Sequence, residues 1–387
     1  MIYFDYAATT SVAPRVLDAM LPYFSEMFGN PSSVHHYGQK AEAAVDSARE
    51  TVALSLNCRP DEVIFTSCGS ESDNLALRGA ALAMREKTGV NWILTSRAEH
   101  HAVSKTAEQL EKRYGFQVEW LDVDESGMVH PETVEKAICH ETAIVSVMYA
   151  NNEIGTINPI REITEVCHKN GVLFHTDAVQ AAAYLPIDVK SLGVDMLSLG
   201  AHKFYGPKGV GALYVRSGTP LVPSQTGGGQ EFGLRAGTLN VPSIVGFAEA
   251  FRLTNEEREE RTAHVKPLRD RIVGTILEEI PSSRLTGHPT DRLPNHCSFA
   301  FAGVDGNLLL TLLDAAGFAC SSGSACKTGN PEPSDVLTSL DLPREWALGS
   351  LRVTLGTGTV PADVNAFLKT LPPLVEKTRG LTGDKRR

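Results

Sequence analysis

Residues 195–215 read DMLSLGAHKFYGPKGVGALYV, and the fold is decided by how this stretch is parsed. Met196 to Leu199 is an apolar run of strand length that leads into Gly200 and Ala-His-Lys. A turn rich in glycine and proline follows, and a second apolar run extends from Gly211 to Val215. Working outward, similar runs occupy Val63 to Thr66, Trp92 to Thr95, Ala143 to Tyr149 and Val172 to Thr176. Helical patterns lie between them. Glu71 to Lys87 carries an apolar stripe of Leu75, Leu77, Leu82 and Met84, and His101 to Arg113 is a second. Strands alternating with helices predict an α/β fold with a largely parallel sheet covered on both faces. In such sheets ligands bind beyond the carboxyl ends of the strands, so the residues that follow each run are the first candidates for chemistry.

Composition narrows the function classes. The chain has 387 residues, 42% of them apolar and 21% charged, which is the make-up of a globular protein long enough for a large domain and a smaller companion. Acidic residues outnumber basic ones by 46 to 36, and a formal charge of −10 disfavours a role in gripping phosphate backbones. No run of 18 or more apolar residues occurs, and the start lacks a basic region followed by an apolar one, so a cytoplasmic protein with no membrane contact is expected. Seven cysteines without a CxxC pair suggest reduced, mostly structural thiols and no metal site. A charge-rich helical segment from about Pro242 to Glu279 is the expected domain joint. Beyond it, strand-like His296 to Phe301, Phe318 to Ser321 and Leu351 to Leu355, with helix-like Asn307 to Ala315, suggest a small α+β domain, and Gly380 to Arg387 reads as a frayed tail.

Three features share one chemical logic. Lys203, at the end of a strand and before a constrained turn, stands where a Schiff-base amine would be held, although a surface lysine in a hairpin fits the same position. Asp177 ends the strand of VLFHTDAVQ, 26 residues earlier; a carboxylate there could pair with a pyridinium nitrogen, or merely cap a turn. Residues 65–74, FTSCGSESDN, supply a strand, a small-residue turn and a helix start, where backbone N–H groups and the Ser70 hydroxyl would face a phosphate. In one frame, the three make a site for pyridoxal 5'-phosphate.

The strings YFDYAATT, FGNPSS, ESDN, AEHHAV, NNEIG, HTDAVQ, AHKFYGPKG, GGGQEFGLRAGT and SSGSACKTGNPEPS occur in this order from residue 3 onward. Together they resemble the cysteine desulfurases, the NifS/IscS-like group of the class V aminotransferases, which are fold-type I pyridoxal-phosphate enzymes. The resemblance implies a large domain with a mostly parallel seven-stranded sheet at 15–255, and a small α+β domain from 1–14 and 256–387 that carries a catalytic cysteine loop at about 321–333. It implies Lys203 as the cofactor-bearing lysine, Asp177 at the pyridine nitrogen, Gln180 at the phenolic oxygen, and His100 stacked on the ring as acid and base. Gly69, Ser70 and His202 would hold the phosphate, with Thr238 contributed across a homodimer interface. Asn152 and Arg352 would hold the substrate carboxylate, a task that suits a bidentate guanidinium.

Cys326 would be the nucleophile, in a polar, glycine-bearing loop that lets a thiolate reach the substrate sulfur, take it as a persulfide and deliver it. The implied activity converts L-cysteine to L-alanine and passes sulfur to protein acceptors such as iron–sulfur scaffold or thiolation proteins; a selenocysteine lyase or an aminotransferase of the same fold is the alternative. Three positions depart from the pattern. Gly200 stands where the family commonly has serine, which removes a hydroxyl contact to the phosphate. Cys68 enters the phosphate turn and reads as a packing residue; Cys320 replaces an apolar residue and reads as a strand residue packed inward, with a resolving or regulatory thiol as the alternative.

Overall fold

The computed structural model describes residues 1–325 and 332–384. The strands, in chain order, are β1 (Ile2–Tyr3), β2 (Val63–Thr66), β3 (Trp92–Ser96), β4 (Gln117–Leu121), β5 (Thr142–Ser146), β6 (Leu173–Asp177), β7 (Met196–Gly200), β8 (Gly211–Val215), β9 (Ser283–Leu285), β10 (His296–Phe301), β11 (Phe318–Ala319), β12 (Ser324–Ala325), β13 (Glu332–Pro333) and β14 (Ser350–Thr354). Seven of them form the central sheet in the order β2-β8-β7-β6-β5-β3-β4, in which only β8 runs against its neighbours. The expected fold class, a mostly parallel seven-stranded α/β sheet with a small α+β unit, is what forms.

Side-chain alternation explains why both faces of this sheet are covered. Ile64, Ile93, Ile144, Met196 and Leu213 point into one apolar cluster, together with Leu75 and Ala80 of the helix Gly69–Thr88 and Val103 and Leu110 of the helix His101–Tyr114. Their sequence neighbours Phe65, Leu94, Val145, Leu197 and Tyr214 belong to the opposite cluster, with Phe247 and Phe251 of the helix Val241–Glu256. Period-two alternation between two dry faces accounts for the near-continuous apolar runs in the sequence.

The smaller unit is an antiparallel sheet, β14-β10-β9, against the helices Arg258–Glu279, Gly306–Ala315 and Pro361–Asp384. Here β1 pairs in parallel with β11, so the first strand joins this later part of the chain. Three local expectations change. The segment from Pro242 to Glu279 is two helices, Val241–Glu256 and Arg258–Glu279, and the first packs on the helix His36–Leu56. The edge strand β4 lacks an apolar run: its exposed Gln117 and Glu119 alternate with Val118 and Trp120. Gly380 lies inside the last helix, since Leu371, Val375 and Thr378 of that helix are buried and carry it past this residue.

Candidate active site

β6 and β7 are parallel neighbours, with Asp177 opposite Ser198, so the two chain segments that leave their carboxyl ends are adjacent. The first presents Asp177 and Gln180. The second turns at once through Ala201–Lys203. Across β8, β2 ends at Thr66 and its chain enters the helix at Gly69. The result is a cavity of about 310 Å³. Gly69, Ser70, His202 and Lys203 line it with Asp177 and Gln180; His100, Asn152 and Arg352 reach it from other elements. Nine of the predicted residues are thus brought together. A larger groove of about 830 Å³, lined by Arg97, Glu108, Trp120 and Asp335 among others, includes none of them.

Burial sets the electrostatics. Lys203 has its pKa lowered to about 8, by desolvation first and then by Arg352, against the opposing pull of Asp177 and Asp5. Its Nζ donates to the carbonyls of Ala7 (2.6 Å) and Ala8 (2.8 Å). Asp177, 5% exposed, is raised by burial, while His100, the Val179 N–H at 2.9 Å and Lys203 favour its charged form. A carboxylate so placed is suited to a cationic N–H partner. His100 stays open to solvent, yet the protein around its ring lowers its pKa, chiefly by desolvation; its Nδ1 accepts from the Ala102 N–H (3.1 Å) at the start of the next helix, so its neutral ring carries the proton on Nε2. His202 is lowered to about 4 by burial, with Lys203 and Lys208 adding to it, and shares a hydrogen bond with Thr9 Oγ1 (3.1 Å).

The phosphate turn has the shape of a cradle. A Cβ on Gly69 would lie 2.6 Å from Val179 Cγ2, so only glycine lets the helix start so close to β6's exit. First-turn N–H groups have no acceptor within their helix and are free for an anion. A cradle of amides, a buried carboxylate and an amine of lowered pKa in one cavity fit pyridoxal 5'-phosphate.

Arg352 is 8% exposed. Its Nη1 donates to the Asn152 carbonyl (2.9 Å) and its Nη2 to Asp5 Oδ1 (2.9 Å), while Nε is buried without a hydrogen-bond partner among the described residues. Thr238 is exposed and does not line the cavity; the loop that carries it is tied to the phosphate turn by Arg235, whose Nε lies 2.8 Å from Glu71 Oε1. Cys326 lies outside the described residues. Cys320 is packed against the apolar core and burial pushes its thiol far up, in keeping with a structural role, whereas Cys68 lines the cavity.

Sequence reasoning assigned no role to the segment 5–10, which roofs the site. Besides the Lys203 contacts, the Ala7 carbonyl accepts from Gln180 Nε2 (2.8 Å), and Thr10 N–H and Oγ1 both donate to the His202 carbonyl (2.9 and 3.1 Å). Two buried acids were also unassigned. Asp73 lines the cavity, its Oδ1 3.7 Å from His175 Nε2 and without a hydrogen bond among the described residues, and Glu99, raised to about 8 by burial, accepts from the Met148 N–H (2.8 Å). Their signal was present in the strings ESDN and AEHHAV.

Comparison with known proteins agrees with this geometry. The aminotransferase class-V family model matches residues 2–367. The cysteine desulfurase IscS of Clostridium botulinum is 47% identical over 384 residues, covering 98% of this chain and 96% of that one. A solved NifS-like protein superimposes with a TM-score of 0.90 at 37% identity, over 97% of this chain and 99% of that one. The structure of SspA in complex with cysteine gives 0.80 at 37% identity, over 93% and 100%. Among the described residues no helix is long and apolar enough to cross a membrane. The chain belongs to the aminotransferase class-V family and, within it, to the pyridoxal-phosphate-dependent cysteine desulfurases.

Proposed function

We propose that this site removes the sulfur of L-cysteine as a persulfide on Cys326 and releases L-alanine. The observation that carries the assignment of roles is the convergence of Lys203, Asp177, His100 and Arg352 on one cavity from four separate parts of the chain. The substrate carboxylate binds Arg352, whose two Nη atoms are already oriented, and Asn152 lines the same side. Gly69, Ser70 and His202 hold the cofactor phosphate, with Thr238 of a second subunit. Gln180 keeps one amide hydrogen for the phenolic oxygen while the other serves Ala7.

Pyridoxal 5'-phosphate, when bound, supplies the electron sink that lets the bonds at the substrate's Cα and Cβ be broken. The free Lys203 amine, lowered to about 8 by desolvation, would be an effective base near neutral pH for the Cα proton. Asp177 holds the proton on the pyridine nitrogen. His100, neutral with a proton on Nε2, serves the substrate thiol and the departing carbon. The Cys326 thiolate attacks the substrate sulfur; the carbon–sulfur bond breaks, a sulfur–sulfur bond forms, and protons from the medium complete the methyl group of alanine.

On this reading the enzyme is a cytoplasmic homodimer with a large domain at 15–255 and a small domain from 1–14 and 256–387. Its persulfide passes to protein acceptors, of which iron–sulfur scaffold and thiolation proteins are the leading classes. The test is a set of variants assayed for alanine and sulfide release from L-cysteine with a reductant present. Cys326→Ala should keep the cofactor's absorption band and lose sulfide release, and Lys203→Ala should be colourless. Sulfide release from Cys326→Ala at the parent rate would remove the thiol from the mechanism. Mixing persulfidated enzyme with candidate acceptors and following sulfur by mass spectrometry identifies the recipient.

A further inference from the structure

We infer that Asp5 is a positioning residue that makes the site selective for substrates bearing an α-carboxylate. The inference rests on the reading of Arg352 as the carboxylate-binding group. A guanidinium offers its N–H donors in a fixed planar fork, so it selects a carboxylate by geometry only when the plane itself is held. Two acceptors hold it here. The Asn152 carbonyl takes Nη1 and Asp5 Oδ1 takes Nη2, each at 2.9 Å, and Nε is left buried without a hydrogen-bond partner among the described residues.

Asp5 is in turn fixed on every side. Its Oδ2 accepts from Ser321 Oγ (2.9 Å), Ser321 exchanges backbone hydrogen bonds with Arg352 itself (2.7 and 3.2 Å), and Asp5 bridges in parallel to Thr354, two residues along β14. Asp5, Ser321 and Arg352 therefore form a closed ring in which no member can turn alone. The three come from the start of the chain, the exit of β11 and β14. Each carboxylate oxygen of Asp5 has one task, so neither is spare.

A different account of the same pair makes Asp5 only a counter-ion that neutralises Arg352 and competes with the substrate. The two accounts predict opposite signs. If Asp5 positions the fork, its removal lowers affinity for a carboxylate ligand; if it competes, removal raises it.

The experiment uses the holoenzyme and a minimal pair of ligands, L-alanine and ethylamine, which differ by the carboxylate alone. Dissociation constants are read from the change in the cofactor's absorption band. Asp5→Ala should cut the preference for L-alanine over ethylamine at least tenfold and leave ethylamine binding within about twofold. Asp5→Asn, whose amide oxygen can still accept from Arg352 and whose NH2 can donate to Ser321 Oγ, should restore most of the preference, which a general loss of structure would not allow. Ser321→Ala should give a smaller loss in the same direction. An unchanged or increased preference in Asp5→Ala overturns the inference. Arg352→Lys provides the separate control: a full preference retained in that variant overturns the reading of Arg352 itself, whatever Asp5 does.

Discussion

The floor and the roof of the cavity are built by different means. Asp177, His202 and Lys203 stand at the ends of β6 and β7, in the middle of a sheet with both faces buried, and the phosphate turn follows β2 in the same sheet. The roof, residues 5–10, belongs to no long element; it is held by single hydrogen bonds to residues some 170 to 350 positions away, such as Ala7 N–H to Thr354 Oγ1 (2.9 Å). The floor is positioned by the fold as a whole. The roof is positioned by a few contacts, so it can be loosened with little damage elsewhere.

The floor should be the costlier part to disturb. Its β2 edge is anchored by Arg49 and Glu231, paired at 2.6 and 2.8 Å with side chains 8% and 0% exposed; Glu231 also accepts from the Phe65 N–H (2.7 Å) and Arg49 donates to Val63 O. Glu231→Gln leaves the Arg49 cation buried without its counter-ion, a loss of about 3–5 kcal/mol. Denaturant unfolding of the cofactor-free protein should show that drop, and a change below about 1 kcal/mol would mean the clamp is not what holds β2. On the roof, Thr354→Val takes the acceptor from Ala7 N–H at a fully buried site and costs about 1–3 kcal/mol. Its larger effect should be faster cofactor loss, because the Ala7 carbonyl bonds both Lys203 and Gln180. Should Thr354→Val destabilise the protein as much as Glu231→Gln, the contrast between the two regions is wrong.

The point where roof meets floor has its own signature in pH. Free Lys203 titrates at about 8, lowered chiefly by desolvation, and in its proposed role as the cofactor-bearing amine it must be uncharged to capture an aldehyde. At pH 7 that shift raises the neutral fraction from about 0.03% to about 10%. Uptake of pyridoxal 5'-phosphate by the cofactor-free protein should therefore quicken about tenfold from pH 6 to pH 7 and level off above pH 8. Stopped-flow absorbance gives the profile. A rate still climbing tenfold per unit at pH 9 would mean that Lys203 is not desolvated.

The same contrast explains what could be read from the sequence. The floor was legible because strand ends in an α/β sheet carry side chains with distinctive chemistry: Asp177 closes an apolar strand, and Lys203 and Gly69 each sit three residues past one. The roof was not, since Ala7 and Ala8 act through backbone carbonyls, and a carbonyl leaves no mark on residue type. Asp5 has a marked side chain, but its partner is 347 positions away and no periodicity links them. Edge strand β4 was missed because its outward residues are polar, and the helix break at Glu257 because charge runs through both sides of it.

Gly200 gives the smallest effect and the finest test of how the floor is set. Its φ of −140° and ψ of 116° are ordinary extended values, so glycine is not required there by the backbone. A Cβ would meet the Gly69 N at 3.4 Å and Val179 Cγ1 at 3.5 Å, contacts that a real side chain makes. The cradle can therefore accept a serine, and its hydroxyl would stand beside the first amide of the phosphate-binding helix. One added hydrogen bond is worth at least about 1 kcal/mol, so Gly200→Ser should bind pyridoxal 5'-phosphate at least about fivefold more tightly, with a slightly raised Tm from the lost backbone freedom of glycine. Equilibrium titration of the cofactor-free variant decides it. If affinity falls instead, the space beside Gly69 is already committed to the phosphate, and the floor is packed to closer tolerance than its open geometry implies.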